Sequence, residues 1–168
     1  GSAMEKCAKP GVGGIIVKRI DNIDYILLQE RCKEDGGEEN GLIEIPAGKI
    51  REFENIFECL RREILEETGL VVTEIIGKND TVVIESNGYK VINYMPFSCS
   101  QNIEGNYPIM VQTFICKAEG QILDKTNETQ NIRWVSLNEL KEMLGKNEKS
   151  FYPMHVIALR KYINEKFE

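Results

Sequence analysis

The segment from Phe53 to Thr68 restricts the fold of this chain more than any other part of its sequence. Its residues are strong helix formers, and it stops at Gly69, the residue type that commonly follows a helix end. On a helical wheel, its apolar side chains fall on a single stripe: Phe53, Ile56, Phe57, Leu60 and Ile64. The pattern predicts an amphipathic helix that packs this stripe against a hydrophobic core.

Acidic side chains interrupt that stripe near its carboxyl end. Glu67 falls inside the stripe, Glu63 lies at its edge and Glu66 lies just beyond it, so the carboxylates share one side of the helix. A carboxylate that faces a core is unfavourable unless a positive group compensates it, and Mg²⁺ is a hard cation that prefers oxygen ligands. The spacing indicates a metal site. The alternative is a solvated acidic face, which is the default reading for Glu66 considered alone.

The rest of the chain predicts one α/β (α+β) domain over residues 1–168, in which 1–3 (Gly1-Ser2-Ala3) read as an expression scar. Residues 11–20 and 25–29 predict a hairpin, and 42–45 predict a short strand that leads into a turn at 46–48. Further strands are predicted over 70–76, 81–85, 91–97, 110–117 and 132–135, in a mixed or antiparallel sheet. Two more helices are predicted, over 136–144 and 151–167.

Composition and charge exclude several classes of function. The net charge of -6 argues against a nucleic-acid partner, because phosphate neutralisation needs a surplus of lysine and arginine. The chain has no apolar run of the roughly 20 residues that a membrane span requires, and its start lacks a secretory pattern. Five scattered cysteines and a single histidine do not form a zinc motif. We therefore expect a cytoplasmic protein without a membrane partner.

The segment that begins at Gly48 carries a family resemblance. Gly48 is followed by five residues, Glu54, seven residues and then Arg-Glu-Ile-Leu-Glu-Glu-Thr-Gly-Leu over residues 62–70. This resembles the Nudix box at every one of its defining positions. The resemblance implies a Nudix-type α/β/α sandwich with a mixed sheet and a loop-helix-loop Nudix box. It also implies hydrolysis of a pyrophosphate bond with Mg²⁺, for which Mn²⁺ can substitute.

The same resemblance assigns the metal ligands. It implies that Glu63, Glu66 and Glu67 bind the cation, helped by a backbone carbonyl at Ala47 or Gly48. Gly48 has two readings that the sequence leaves open. It can form a tight turn after the preceding proline, or it can let the backbone approach the metal closely.

The remaining site residues are also implied by the resemblance. Arg62 would orient the neighbouring glutamates, and Glu54 would support the metal-bound waters. The general base in this family is a box glutamate or a glutamate on a distant loop, and Glu128 is the loop candidate, with an exposed loop carboxylate as the alternative. His155, the only histidine, has no partner at ligand spacing, so a structural role is expected.

The substrate is narrowed by residues 44–49, Glu-Ile-Pro-Ala-Gly-Lys, which resemble the entry to the box in ADP-ribose pyrophosphatases and related sugar-nucleotide hydrolases. This favours a nucleotide-derived small molecule, ADP-ribose or a nucleotide sugar, and a homodimer. Those enzymes often carry a proline beyond the box, where this chain has Glu85-Ser86-Asn87-Gly88. A (d)NTP or dinucleoside polyphosphate pyrophosphohydrolase is therefore the alternative within the class. A catalytically silent nucleotide-sensing domain and a pure scaffold are the alternatives outside it.

Overall fold

The computed structural model describes residues 5–167, which form ten strands and three α-helices. Gly1-Ser2-Ala3, read from the sequence as an expression scar, lies outside the described residues. The strands are β1 (Lys9–Ile20), β2 (Ile23–Arg31), β3 (Ile43–Glu44), β4 (Ala47–Lys49), β5 (Val71–Ile75), β6 (Val82–Ser86), β7 (Tyr89–Asn93), β8 (Ser98–Gln101), β9 (Ile109–Glu119) and β10 (Thr129–Ser136). The helices are α1 (Ile56–Thr68), α2 (Leu137–Lys146) and α3 (Pro153–Phe167).

The main sheet is built around β1, which pairs antiparallel with β2 and parallel with β9. Its order is β10-β2-β1-β9-β5, and the short strands β3, β4 and β8 pair with β2, β1 and β9. Asp21 and Asn22 join β1 to β2 with φ of 51° and 64°, as the tightest hairpin turns require. The predicted hairpin and the predicted mixed sheet are both confirmed.

Helices cover both faces of this sheet. On one face, α1 buries Leu60 and Ile64 in a cluster with side chains of β1, β5 and β9. On the other face, α2 and α3 bury Leu140 and Leu159 in a second cluster with side chains of β1 and β2. The fold is therefore an α/β/α sandwich with a mixed sheet, as the resemblance implied.

The start of α1 differs from the prediction. Phe53 is 99% exposed and has a φ of 60°, so it belongs neither to the helix nor to the apolar stripe. The helix begins at Ile56 because Asn55 caps it, and Asn55 Oδ1 accepts a hydrogen bond from Phe57 N at 2.8 Å. Glu54 consequently lies in the loop before the helix. The predicted end is confirmed, since Gly69 adopts φ 83° directly after Thr68.

The predicted strands at 81–85 and 91–97 do not join the main sheet. They form a separate two-stranded ribbon of β6 and β7, turned by Asn87 and Gly88. The ribbon is largely exposed, with Ile84 57% and Tyr89 72% accessible. Strand β8 follows it and was not predicted, because its sequence Ser-Cys-Ser-Gln lacks the apolar side chains that mark a strand.

The carboxyl-terminal helices follow the predicted caps. Ser136 Oγ accepts a hydrogen bond from Glu139 N at 3.1 Å at the start of α2, and Pro153 occupies the first position of α3. Within residues 5–167, no helix combines the length and the apolar character that a membrane crossing requires.

Candidate functional site

Glu67 lies in the last turn of α1 with its side chain buried, as its position in the apolar stripe predicted, and the residue is only 5% exposed. Its Oε1 accepts a hydrogen bond from Gln29 Nε2 at 2.9 Å, and its Oε2 accepts one from Ala47 N at 3.2 Å. Both donors are neutral groups, one on β2 and one on β4. The negative charge of Glu67 is therefore hydrogen-bonded but not neutralised by these partners.

The surroundings of Glu67 disfavour its ionised form. Burial raises the pKa of Glu67 well above its usual range, and the nearby Glu44 and Glu63 carboxylates raise it further. The hydrogen bond from Gln29 acts in the opposite direction and lowers the pKa of Glu67. A positive charge in this place would reverse the balance, because it favours the ionised carboxylate.

Glu63 lies against the backbone of β4. A Cβ atom added to Gly48 would come within 2.1 Å of Glu63 Cδ, so no larger residue fits at Gly48 while Glu63 keeps its position. Gly48 lies within strand β4 rather than in a tight turn. The structure therefore does not support the tight turn, and the group that approaches the backbone of Gly48 is the Glu63 carboxylate; a close approach to a metal stays a prediction.

Arg62 joins two of the predicted site carboxylates. It donates to Glu54 through Nε at 2.8 Å and Nη2 at 2.9 Å, and to Glu63 Oε1 through Nη1 at 2.7 Å. The hydrogen bond from Arg62 lowers the pKa of Glu54 to about 2. Glu66 is less closely held, since its carboxylate is 3.6 Å from Arg62 Nη1 and its side chain is 56% exposed. Arg62 therefore fixes Glu63 and Glu54 more firmly than Glu66.

The donor set fits a hard divalent cation. The Glu63 carboxylate is near enough to Glu67 to raise its pKa, and Glu67 is buried near a further acid, Glu44. In the described chain, no three His, Cys, Asp or Glu side chains form a ready-made metal cage. Mg²⁺ does not need such a cage, since it takes one or two carboxylates and completes its shell with water and substrate phosphates. Glu63 and Glu67, which lie beside the backbone of β4, match that requirement.

Glu44 is a buried acid that sequence reasoning missed. It is 3% exposed, and it accepts hydrogen bonds from Gln29 Nε2 at 3.2 Å and Arg31 Nη1 at 2.8 Å. Burial raises the pKa of Glu44, while the charge of Arg31 acts against that rise. A signal was present in the sequence, because Glu44 interrupts the apolar run Leu42-Ile43-Glu44-Ile45. A charged residue in such a run is rarely buried unless it is paired.

A deep pocket opens beside these carboxylates, with a volume of about 80 Å³. Its walls include the acids Glu44 and Glu67 and the basic residues Arg31, Lys33 and Lys49. A wider cleft of about 630 Å³ adjoins it and shares Arg31 and Lys33. The site thus has acidic side chains where α1 ends and basic side chains elsewhere along its walls, a distribution suited to a metal-bound anionic ligand.

The structure separates Glu128 from the other predicted site residues. Glu128 is exposed and lines the wider cleft, whereas Glu67 lines the deep pocket. Its backbone carbonyl accepts a hydrogen bond from Cys32 N at 2.9 Å, which ties its loop to the end of β2. Glu128 therefore lies along the wider cleft and not in the pocket that Glu67 lines.

His155 also lines the deep pocket, a position that its sequence context did not indicate. It is 1% exposed, and its Nδ1 has no hydrogen-bond partner among residues 5–167. Burial, helped by the nearby charge of Arg31, lowers the pKa of His155 to about 3. Its ring lies 5.4 Å from that of Tyr152, over which the Arg31 guanidinium stacks at 4.4 Å. The pocket therefore contains a neutral imidazole beside a cation.

One comparison with known proteins identifies the family of this chain. The sequence model of the NUDIX domain matches residues 9–155. No curated protein matches the chain.

Solved structures share the fold at low sequence identity. A MutT protein from Methanosarcina mazei Go1 superposes with a TM-score of 0.62 and 20% identity, over 99% of this chain and 100% of that one. The NUDIX domain of Shewanella oneidensis NrtR, solved with ADP ribose, gives 0.66 and 14%, over 98% and 91%. A C. elegans Ap4A hydrolase gives 0.54 and 15%, over 92% and 94%. At these identities the likeness shows a common fold.

Proposed function

We propose that the substrate of this protein is a nucleoside diphosphate linked to a second group. The proposal starts from the family match: the chain belongs to the NUDIX domain family and is a Nudix-type pyrophosphohydrolase. Within that class we propose ADP-ribose or a nucleotide sugar. Residues 44–49 support this choice through their resemblance to ADP-ribose pyrophosphatases. The NrtR NUDIX domain, which shares the fold, was solved with ADP ribose. The wide cleft beside the deep pocket leaves room for the second group.

One observation carries the proposal: Glu67 is a buried carboxylate next to Glu63, in a pocket that is also lined by the basic residues Arg31, Lys33 and Lys49. Acids of this kind are unfavourable without a cation, and a metal-bound diphosphate supplies one. The side chains of Arg31, Lys33 and Lys49 would then face the phosphate charge that the metal leaves uncompensated.

The metal we propose is Mg²⁺, with Mn²⁺ as a substitute. Glu63 and Glu67 would hold it beside the backbone of Ala47 and Gly48, and Glu66 would contribute from the exposed side of α1. When bound, such an ion neutralises charge on phosphoryl oxygens and lowers the pKa of a coordinated water.

The protein's own residues fix this arrangement. Arg62 orients Glu63 through a hydrogen bond at 2.7 Å, and Glu54 holds Arg62 with both carboxylate oxygens. Glu54 thus acts by holding Arg62 in place, in addition to the support for metal-bound waters that the resemblance implies.

The general base is proposed to be Glu128 or a glutamate of the Nudix box. Glu128 lines the wide cleft and is exposed, so it can reach a ligand there. If it takes the proton, Glu128→Gln lowers kcat by about 10²–10⁴-fold and leaves Mn²⁺ affinity unchanged. An unchanged kcat would instead indicate that a glutamate of the Nudix box is the general base.

A substrate panel tests the proposal. ADP-ribose, nucleotide sugars, dinucleoside polyphosphates and nucleoside triphosphates are incubated with Mg²⁺, and the products are separated by anion exchange. Preferred cleavage of ADP-ribose to AMP and ribose 5-phosphate is expected. Cleavage of triphosphates or dinucleoside polyphosphates alone would select the alternative, to which the MutT and Ap4A hydrolase names of fold neighbours point.

The same panel is run on two glutamine variants: Glu67→Gln tests the metal role, and Glu66→Gln is its matched control. Glu67→Gln removes one charge with little change in shape, so turnover should be lost while the fold remains. Glu66→Gln changes an exposed carboxylate and should have the smaller effect. Undiminished turnover of Glu67→Gln would contradict the metal role, and tight nucleotide binding without turnover of any substrate would support a sensing domain. The proposed homodimer is tested by light scattering of the purified protein, and the cytoplasmic location stays a prediction.

A further inference from the structure

Gln29 lies outside the Nudix box but directly beside its buried glutamate. It is fully buried on β2, and its Nε2 donates to Glu67 Oε1 at 2.9 Å and to Glu44 Oε1 at 3.2 Å. These acids lie far from Gln29 in the sequence, at separations of 38 and 15 residues. One amide nitrogen therefore joins two buried carboxylates.

The chemistry of the neighbours fixes the orientation of this amide. Carboxylates accept hydrogen bonds, so the amide nitrogen must face them, and a flipped amide would place its oxygen against two acids. Gln29 Oε1 has no hydrogen-bond partner in the described part of the chain. A buried acceptor without a partner is unfavourable, yet this orientation leaves one so that both bonds to the acids form. The contact to Glu67 is thus maintained at a cost elsewhere in the same side chain.

Glu44 provides a fixed anchor for the other end of the contact. Its second oxygen accepts a hydrogen bond from Arg31 Nη1 at 2.8 Å, and the Arg31 guanidinium is held over the ring of Tyr152. Gln29 is consequently held by Glu44, whose own position is fixed by Arg31. Because Gln29 also donates to Glu67, the Glu67 carboxylate is part of the same fixed arrangement.

We propose that Gln29 is a positioning residue that holds the Glu67 carboxylate in place to meet a divalent cation beside Glu63. The inference rests on the proposed metal-dependent function. Two acids near Glu67, Glu44 and Glu63, repel its charge. Without the Gln29 donor, Oε1 of Glu67 keeps no hydrogen bond among residues 5–167. The side chain can then turn away from its neighbours and lose the orientation that the cation requires.

The test measures metal binding directly. Mn²⁺ is titrated into substrate-free protein and free Mn²⁺ is followed by electron paramagnetic resonance. Gln29→Met keeps the length of the side chain without its donor, and Gln29→Asn keeps an amide that is too short to reach both acids. Both should bind Mn²⁺ about 10–100-fold more weakly, as is usual for residues that orient a metal ligand. Gln29→Asn retains a polar group at this buried position and decides the question if Gln29→Met does not fold.

A matched control separates positioning from general destabilisation. Ile26 lies on the same strand but is buried in the opposite core cluster, so Ile26→Val should lower stability slightly and leave Mn²⁺ affinity unchanged. If Gln29 acts through Glu67, adding Gln29→Met to Glu67→Gln should cause no further loss of affinity.

The outcomes distinguish this inference from the proposed function. If wild-type protein does not bind Mn²⁺, or if Glu67→Gln binds it equally well, the proposed metal site fails. If wild type binds Mn²⁺ and Glu67→Gln binds it much more weakly, but the folded Gln29 variants bind like wild type, only the role of Gln29 is overturned. A full additive loss in the double variant would likewise overturn a role through Glu67.

Discussion

Replacing Glu67 with glutamine should stabilise the metal-free protein while it strongly weakens metal binding. Glu67 is 5% exposed, and burial and two neighbouring acids raise its pKa well above the usual value. The ionised side chain therefore destabilises the fold when no cation is present. Each unit of such a pKa shift corresponds to about 1.4 kcal/mol.

The magnitude follows from the two hydrogen bonds. In Glu67→Gln, the new amide oxygen keeps the bond from Gln29, but the new amide nitrogen faces Ala47 N and loses that bond. The lost bond costs about 1 kcal/mol, against several kcal/mol for a buried carboxylate without a counter-ion. We expect a net stabilisation of about 1–3 kcal/mol, which raises Tm by roughly 2–4 °C per kcal/mol in a domain of this size.

The pH dependence gives the sharper test, with Tm measured in EDTA by differential scanning calorimetry. Because the folded pKa of Glu67 is raised, wild type binds more protons when folded and loses stability as pH rises from 4.5 through that higher pKa. The Tm advantage of Glu67→Gln should therefore grow with pH. Glu66→Gln, which alters an exposed side chain, should stay within about 0.5 kcal/mol of wild type.

Metal should remove most or all of the stability advantage of Glu67→Gln over wild type. At a Mg²⁺ concentration 100 times its Kd, the wild type should gain about 2.7 kcal/mol, and Glu67→Gln should gain almost nothing. The reasoning is refuted if Glu67→Gln is less stable than wild type at pH 8 in EDTA, or if Mg²⁺ raises both Tm values equally.

Further variants probe the surroundings of Glu67. In Gly48→Ala, the new Cβ would lie 2.1 Å from Glu63 Cδ, so the Glu63 carboxylate must move. Turnover should therefore fall about 10²-fold with little change in Tm. An unchanged kcat/KM would contradict this prediction. The folded pKa of His155 is about 3 against 6.5 outside the protein, so wild type should lose stability as pH falls below 6.5, and His155→Phe should lose less over that range in thermal denaturation. The pKa of Glu54 is held at about 2, so its pairing with Arg62 stabilises the fold above pH 4.5 and loses this effect as pH falls through 2. Glu54→Gln should therefore have a lower Tm than wild type above pH 4.5, and this difference in Tm should disappear between pH 4.5 and 2.

The parts of the site that depend on local sequence were predictable. Glu63, Glu66 and Glu67 lie on one helix, and helical spacing alone places them on one side and buries Glu67. The end of α1 was equally local, because Gly69 adopts the left-handed conformation that glycine favours. The start was misplaced because helix propensity outweighed the capping preference of Asn55 in the prediction.

The placement of the polar residues around Glu67 was not predictable, because strand pairing brings them together. Gln29 and Glu44 are opposite each other in the β2–β3 pair, and His155 arrives from α3 near the other end of the chain. Their residue types carry no periodic signal, and one histidine without a partner at ligand spacing gives no reason to expect it in the pocket. Pairwise register between distant segments, rather than residue type, decides their placement.

The parallel pairing of β1 with β9 also determines when the protein can become active during its synthesis. Lys9 pairs with Ile109, and the register continues to Ile16 and Cys116. The helix that bears Glu67 is translated well before β9. Until β9 has been synthesised, the apolar face of this helix lacks some of the side chains against which it packs. Contacts so distant in sequence favour slow folding. A ribosome-bound chain that ends before β9 should therefore remain sensitive to protease and should not retain Mn²⁺.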